Sequence, residues 1–178
     1  MNTEQEEYIT LFCEGDGSIS LNSGHSKFYS NVRFIQKERD VLDYIALIQA
    51  GGTFHQSPNG IWGLNYGGSK CIPLLEIFSK HAVGKHFTER LNEVLEYVGL
   101  PPATQHLLTL EGFVAFWDAE GSSGNLPALH VVQKDREILD LIVEQFSDGV
   151  TQTSSVHQWH LTGEVARKLV PEILNKSH

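Results

Sequence analysis

Two stretches of the chain end in nearly the same way: Phe12-Cys13-Glu14-Gly15-Asp16-Gly17-Ser18 and Phe116-Trp117-Asp118-Ala119-Glu120-Gly121-Ser122. Each closes an apolar, helix-like run with an acid, a small residue, a second acid and then Gly-Ser. Carboxylates that arrive by repetition can meet across a pseudo-twofold axis, and two of them side by side repel unless a proton or a cation lies between them. Mg²⁺ takes oxygen ligands and keeps several waters, so one carboxylate from each copy plus phosphate oxygens suits it. Such an ion lowers the pKa of an attacking water and offsets charge on the phosphate and the leaving oxygen. A plain solvated helix end is the bland alternative, but acids at a helix C-terminus oppose the helix dipole.

The elements that must position these acids repeat as well. Val32-Arg33-Phe34-Ile35-Gln36-Lys37 is echoed by Leu129-His130-Val131-Val132-Gln133-Lys134, and each Gln-Lys precedes a helical pattern. Val41, Leu42, Ile45 and Ile48 mark the first pattern; Ile138, Leu139, Ile142 and Val143 mark the second. From Gln to the next landmark glycine (Gly52, Gly149) is 16 residues in both halves, and from Gln to tryptophan (Trp62, Trp159) it is 26 in both. Internal self-similarity of this kind constrains every other reading. Two copies are too few for a solenoid and point to a closed pseudo-dimer.

Composition sets outer limits. The 178 residues, 40% hydrophobic and 20% charged, suit an ordinary globular protein with a real core. No apolar run approaches the roughly 18 to 20 residues of a membrane helix. The acidic start, Met1 to Glu7, lacks the basic-then-apolar order of a signal peptide. An intracellular, soluble protein without membrane partners is expected, with Cys13 and Cys71 as buried thiols. The net charge of −9 speaks against nonspecific nucleic-acid binding.

Periodicity gives each half the order αββαββα. Thr3 to Cys13 reads as helix, stopped by Gly15 and Gly17; Ser18 to Asn22 and Lys27 to Gln36 alternate as strands. Thr53 to Ser57 and Ile61 to Tyr66 form a hairpin through Pro58-Asn59-Gly60. Helices follow near Cys71 to Lys80 and Phe87 to Val98. Gly99-Leu100-Pro101-Pro102-Ala103-Thr104 reads as the linker between a first repeat, 1–98, and a second, 106–178, with 99–105 between them. The second half opens on a helix near His106 to Trp117 and closes on one near Glu164 to Asn175.

With motif, repeat and element order in place, the chain resembles the LAGLIDADG homing endonucleases, in their single-chain, two-motif branch. Ile9 to Gly17 and Phe113 to Gly121 are the motif helices. Two positions depart from the pattern: the third motif residue, usually glycine, is Leu11 in one half and Ala115 in the other. The resemblance implies an α+β fold in which two pseudo-twofold repeats form a saddle-shaped antiparallel sheet surface, with the two signature helices packed at its centre. It implies a monomeric, metal-dependent, site-specific double-strand DNA endonuclease of the kind associated with intron or intein mobility. Asp16 and Glu120 are then the catalytic metal ligands, one per strand cut, helped by the backbones of Gly15 and Ala119. The cofactor implied is Mg²⁺, with Mn²⁺ able to substitute. Gln36 and Gln133 would lie beside the metal and orient water, unless they merely cap the helices that follow. Lys85 is the basic residue near the cleaved phosphate, with Lys80 and Lys176 as further candidates, although each taken alone reads more readily as an exposed, solubilising lysine.

DNA would lie on the concave face of the strands. Lys27, Tyr29, Asn31 and Arg33 share one side of their strand, Ser18, Ser20 and Asn22 share one side of theirs, and Asn65, Gln158 and His160 sit opposite the apolar tryptophan faces. Mixed donors and acceptors suit base edges in a major groove that admits a two-stranded ribbon, although an ordinary polar sheet face looks alike. The alternative is a cleavage-deficient relative that binds intron RNA as a maturase or acts as a DNA-binding regulator. His157 and His160, three apart on a strand, face opposite ways and make a poor metal pair.

Overall fold

The computed structural model describes residues 1–23, 28–123, 129–133, 136–146, 150–153 and 157–161, with 166, 168 and 170; at 23, 28, 111, 120–123, 146 and 150–153 it describes the backbone alone. The first helix, α1 (Thr3–Asp16), starts from a capping box. The Asn2 side chain accepts from the Gln5 N–H at 2.9 Å, and the Gln5 side chain accepts from the Asn2 N–H at 3.1 Å. The helix runs on to Asp16, so Gly15 lies inside its last turn and Gly17 alone ends it, contrary to the expectation that both would.

After α1 come β1 (Gly17–Ser23), β2 (Phe28–Gln36), α2 (Asp40–Ile48), β3 (Thr53–Gln56), β4 (Trp62–Gly67), a 3-10 turn (Gly68–Cys71), α3 (Ile72–His81) and α4 (Lys85–Val98). The first half thus carries the expected order, with the helices expected near Cys71 to Lys80 and Phe87 to Val98 present as α3 and α4. The second half runs α5 (Leu110–Glu120), β5 (Gly121–Ser123), β6 (Leu129–Gln133), α6 (Arg136–Phe146), β7 (Val150–Thr153) and β8 (His157–Leu161), with positions 166, 168 and 170 again helical. α5 begins at Leu110 rather than near His106. The stretch before it has no helix of its own and is tied down instead, His106 N–H donating to the Ala82 carbonyl at 2.7 Å. Among the described residues no helix is long and apolar enough to cross a membrane.

Each half folds into a four-stranded antiparallel sheet, in the orders β1-β2-β4-β3 and β5-β6-β8-β7. Alternation sends Val32, Phe34, Leu64 and Tyr66 of the first sheet, and Leu129, Val131, Trp159 and Leu161 of the second, into the core. Cys13 and Cys71 are both buried and free.

The equal Gln-to-Trp spacing does not translate into equal pairing. Gln36 lies opposite Trp62 in the first sheet, but Gln133 lies opposite His157, and Trp159 opposite Val131. The second sheet is slipped by two residues, which keeps every side chain on its own face. Trp159 therefore takes the place that Leu64 fills in the first half, fully buried with its ring 5.8 Å from that of Phe113. Trp62 instead stays half-buried beneath the Arg39 guanidinium, 4.8 Å from its ring centre.

At the centre, α1 packs along α5. Their contacts advance in step, Glu7 accepting from the Thr109 hydroxyl at 2.8 Å and Leu11 lying against Gly112, so the helices run in the same direction. Leu11, the bulky residue at a position where a close crossing calls for a small one, is accommodated by that glycine. A Cβ at Gly112 would lie 3.1 Å from Leu11 Cγ. The close approach is kept by moving the small residue to the other helix.

Candidate active site and nucleic-acid face

Parallel helices bring their C-termini to one end, and there the four motif acids part company. Glu14 turns into the fold, where its carboxylate accepts from the Val83 N–H at 2.7 Å and the Gly84 N–H at 2.9 Å. It thereby holds the segment that leads into α4. Asp118 accepts from the Tyr8 hydroxyl at 2.9 Å across the helix pair, and burial, followed by the charge of Asp118, raises the Tyr8 pKa. These inner acids serve packing. The outer pair remains at the helix ends.

Asp16 is the last residue of α1. Burial pushes its carboxyl up to about 6 from an ordinary 3.8. Gln36, arriving on β2, donates from Nε2 to Asp16 Oδ2 at 2.7 Å, while its Oε1 accepts from the Lys37 N–H at 2.9 Å. That second bond fixes the amide so that its nitrogen meets the acid. Glu120 occupies the matching last position of α5, its side chain lying outside the described residues. Gly15 and Ala119 sit in the last turns, among carbonyls that a helix leaves without internal partners.

This donor set fits a hard divalent cation. Two helix C-termini bring their negative poles together, neither last turn carries a basic residue, and the donor that meets the half-buried Asp16 carboxyl among the described residues is a neutral amide. Among the described residues no three His, Cys, Asp or Glu side chains converge into a metal cluster. Two carboxylates completed by carbonyls, water and phosphate remain the arrangement to consider. Gln133 lines a cleft of about 310 Å³ together with Glu14, Gly17, Ser18 and Arg90, which places it against the start of β1 from the other repeat. Lys85 opens α4 with its backbone N–H on Glu137 at 2.8 Å; its exposed ammonium lies 3.9 Å from Glu89 of its own helix. Lys80 is exposed on α3. Lys27 and Lys176 lie outside the described residues.

The sheet face assembles in rows set by strand register. Ser18, Arg33, Asn65 and Thr53 lie abreast across the first sheet, followed by Ser20 with Asn31, then Asn22 with exposed Tyr29. The corresponding row of the second sheet holds Ser122, His130, His160 and Val150. His130 and His160 stack with ring centres 4.2 Å apart, and burial, then the His130 charge, lowers the His160 pKa. Gln158 sits half-buried beside them, 3.3 Å from His160 Nε2. Sequence reasoning missed His55, which joins the first row from β3, 2.9 Å from Arg33 Nη2 and 3.2 Å from Asn65 Nδ2. A lone histidine in a four-residue strand carries no signal of its own. Only the strand pairing sets it between the other two.

No protein-family model and no curated protein matches this sequence. Solved structures do match it. The I-LtrWI LAGLIDADG homing endonuclease bound to target DNA superimposes with a TM-score of 0.74 at 12% identity, covering 98% of this chain and 84% of the other. Meganuclease I-SmaMI bound to uncleavable DNA gives 0.73 at 10% identity over 96% and 84%, and LAGLIDADG meganuclease I-AabMI bound to uncleaved DNA gives 0.70 at 14% over 98% and 84%. I-SmaMI has also been solved on its DNA target with calcium ions. The chain has the fold of the LAGLIDADG homing endonucleases.

Proposed function

We propose that this chain is a site-specific endonuclease that cuts both strands of duplex DNA, with divalent metal held between Asp16 and Glu120. The observation that carries the reading is the pairing of α1 with α5 in one direction, each ending in an acid, with Asp16 left half-buried beside the Gln36 amide. The similar structures named above are bound to DNA, one of them in the presence of calcium ions, which supports DNA as the partner and a divalent cation as the cofactor.

In this reading Asp16 and Glu120 hold Mg²⁺, or Mn²⁺ in its place, with the carbonyls of Gly15 and Ala119 at hand. A bound divalent ion supplies an acidified water and offsets the charge of the phosphate and the leaving oxygen. Gln36 keeps the Asp16 carboxylate oriented by occupying Oδ2. Gln133 stands in the corresponding place of the second repeat, and Lys85 contributes positive charge near the end of the cleft. Ser18, Ser20, Asn22, Lys27, Tyr29, Asn31 and Arg33 meet the groove from the first repeat, with Gln158 and His160 from the second. One chain supplies both acids, so it acts as a monomer, with 1–98 and 106–178 as its two halves around a linker at 99–105.

A duplex made by joining the DNA that flanks the gene, incubated with the protein, tests the reading. Linear product in Mg²⁺ and none in EDTA is expected. Tight, sequence-selective binding without cutting in any divalent ion would favour a cleavage-deficient maturase or regulator, the reading that the net charge of −9 favours.

A further inference from the structure

We propose that Arg33 reads a guanine in the major groove, and that His55 and Asn65 are positioning residues that hold its guanidinium in register. The proposal rests on the reading of the sheet face as the DNA surface and deepens it, reassigning Asn65 from a groove contact to a support.

The geometry is that of a relay. Arg33 Nη2 lies 2.9 Å from His55 Nε2, and Asn65 lies 3.2 Å from His55 Nδ1. A guanidinium can only donate, so Nε2 must accept, and a neutral ring that accepts there carries its proton on Nδ1. The Asn65 carboxamide, whose two ends are nearly isosteric, then meets that proton with its oxygen. Arg33 Nε and the far end of the Asn65 amide are enclosed without partners, so neither is available to a base. Among the described residues no hydrogen-bond partner meets Arg33 Nη1. The arginine therefore lies clamped along one edge with its terminal N–H groups left over.

A phosphate contact does not need this arrangement, because a flexible lysine supplies the charge as well. A planar fork fixed by two neighbours suits a planar acceptor pair, and the N7 and O6 of guanine are that pair in the major groove. The position agrees. Ser18, abreast of Arg33, lies two residues beyond Asp16, roughly 7 Å along a strand, so the base read lies in the inner part of the half-site. The fold also makes room for the clamp: His55 pairs with Gly63, and a Cβ there would fall on the imidazole carbon Cε1. The matching row of the second sheet has stacked histidines and no arginine. The guanine preference therefore belongs to one half-site alone.

Selection by binding from a pool of randomised duplexes, followed by sequencing, tests this with wild type, Arg33→Lys, His55→Phe and Gly63→Ala. Wild type should select one inner guanine about ten- to a hundredfold over other bases. All three variants should lose that preference while keeping the rest of the consensus. Arg33→Lys keeps the charge and disturbs packing least, so it serves even if His55→Phe folds poorly. A consensus that Arg33→Lys leaves intact, or one without a guanine in that half-site, overturns the assignment while the sheet remains the DNA surface. Absence of any consensus with wild type overturns the DNA reading and this assignment together.

Discussion

Burial lifts the Asp16 carboxyl to about 6, so its charged form sits uneasily in the metal-free protein. The sign follows from linkage. The unfolded chain releases this proton near 3.8 and the folded protein near 6, so the native state binds more protons between those values and this group weakens folding as pH rises through that window. A cation at the site reverses the penalty where the carboxyl is ionised. Melting curves should therefore show Mg²⁺ raising the Tm at pH 7.5, with the gain fading below pH of about 6 and absent in Asp16→Asn. An equal gain at pH 5 would place the ion elsewhere. Glu14, two residues earlier, should behave in the opposite manner. Glu14→Ala strands the Val83 and Gly84 N–H groups and should cost about 2 kcal/mol, a Tm loss of about 4–8 °C, without changing the response to Mg²⁺.

Among the elements, the helix pair and the first hairpin carry distinct expectations. Because Gly112 receives Leu11, Gly112→Val should drive α1 and α5 apart and cost about 2 kcal/mol or more, read by denaturant unfolding; Gly112→Val with Leu11→Ala should recover part of it. The hairpins differ in length: β1 pairs with β2 over seven residues, β5 with β6 over three among the described residues. The chain is seven residues shorter from Glu120 to Gln133 than from Asp16 to Gln36. At about 3.3 Å per residue, losing some three residues from each arm removes roughly 10 Å of reach. The half-site under the second repeat should be shorter, and randomised positions should carry less information there; equal information in both outer half-sites would refute it. Much of this level was legible in the sequence, because helix and strand periods, Gly17 and the Gln-Lys echo are local signals. The slip that puts Trp159 opposite Val131 was not, since equal spacing along the chain does not fix register between strands. Nor were His55 and Gly112, whose roles exist only once another element arrives beside them.

At the scale of the whole molecule, the net charge of −9 must be reconciled with DNA. Eight of the 22 acids illustrate where the charge sits. Glu89, Glu93, Glu96, Asp140 and Glu144 are exposed on α4 and α6, while Glu6, Glu7 and Glu137 are half-buried and engaged by His81, Thr109 and the Lys85 backbone. The first-sheet face that includes Ser18, Arg33, Asn65 and Thr53 carries none of them, so the repulsion is displaced from the surface that would meet phosphate, and what remains is screened by salt. The central claim is that two halves of one chain each contribute one acid to cutting. Its most direct test is agarose analysis of a supercoiled plasmid bearing the wild-type site, incubated in Mg²⁺ with wild type, Asp16→Asn, Glu120→Gln and the double variant. Linear plasmid is expected with wild type only, and the double variant should leave the plasmid supercoiled while still binding it; linear plasmid produced by the double variant would contradict the account.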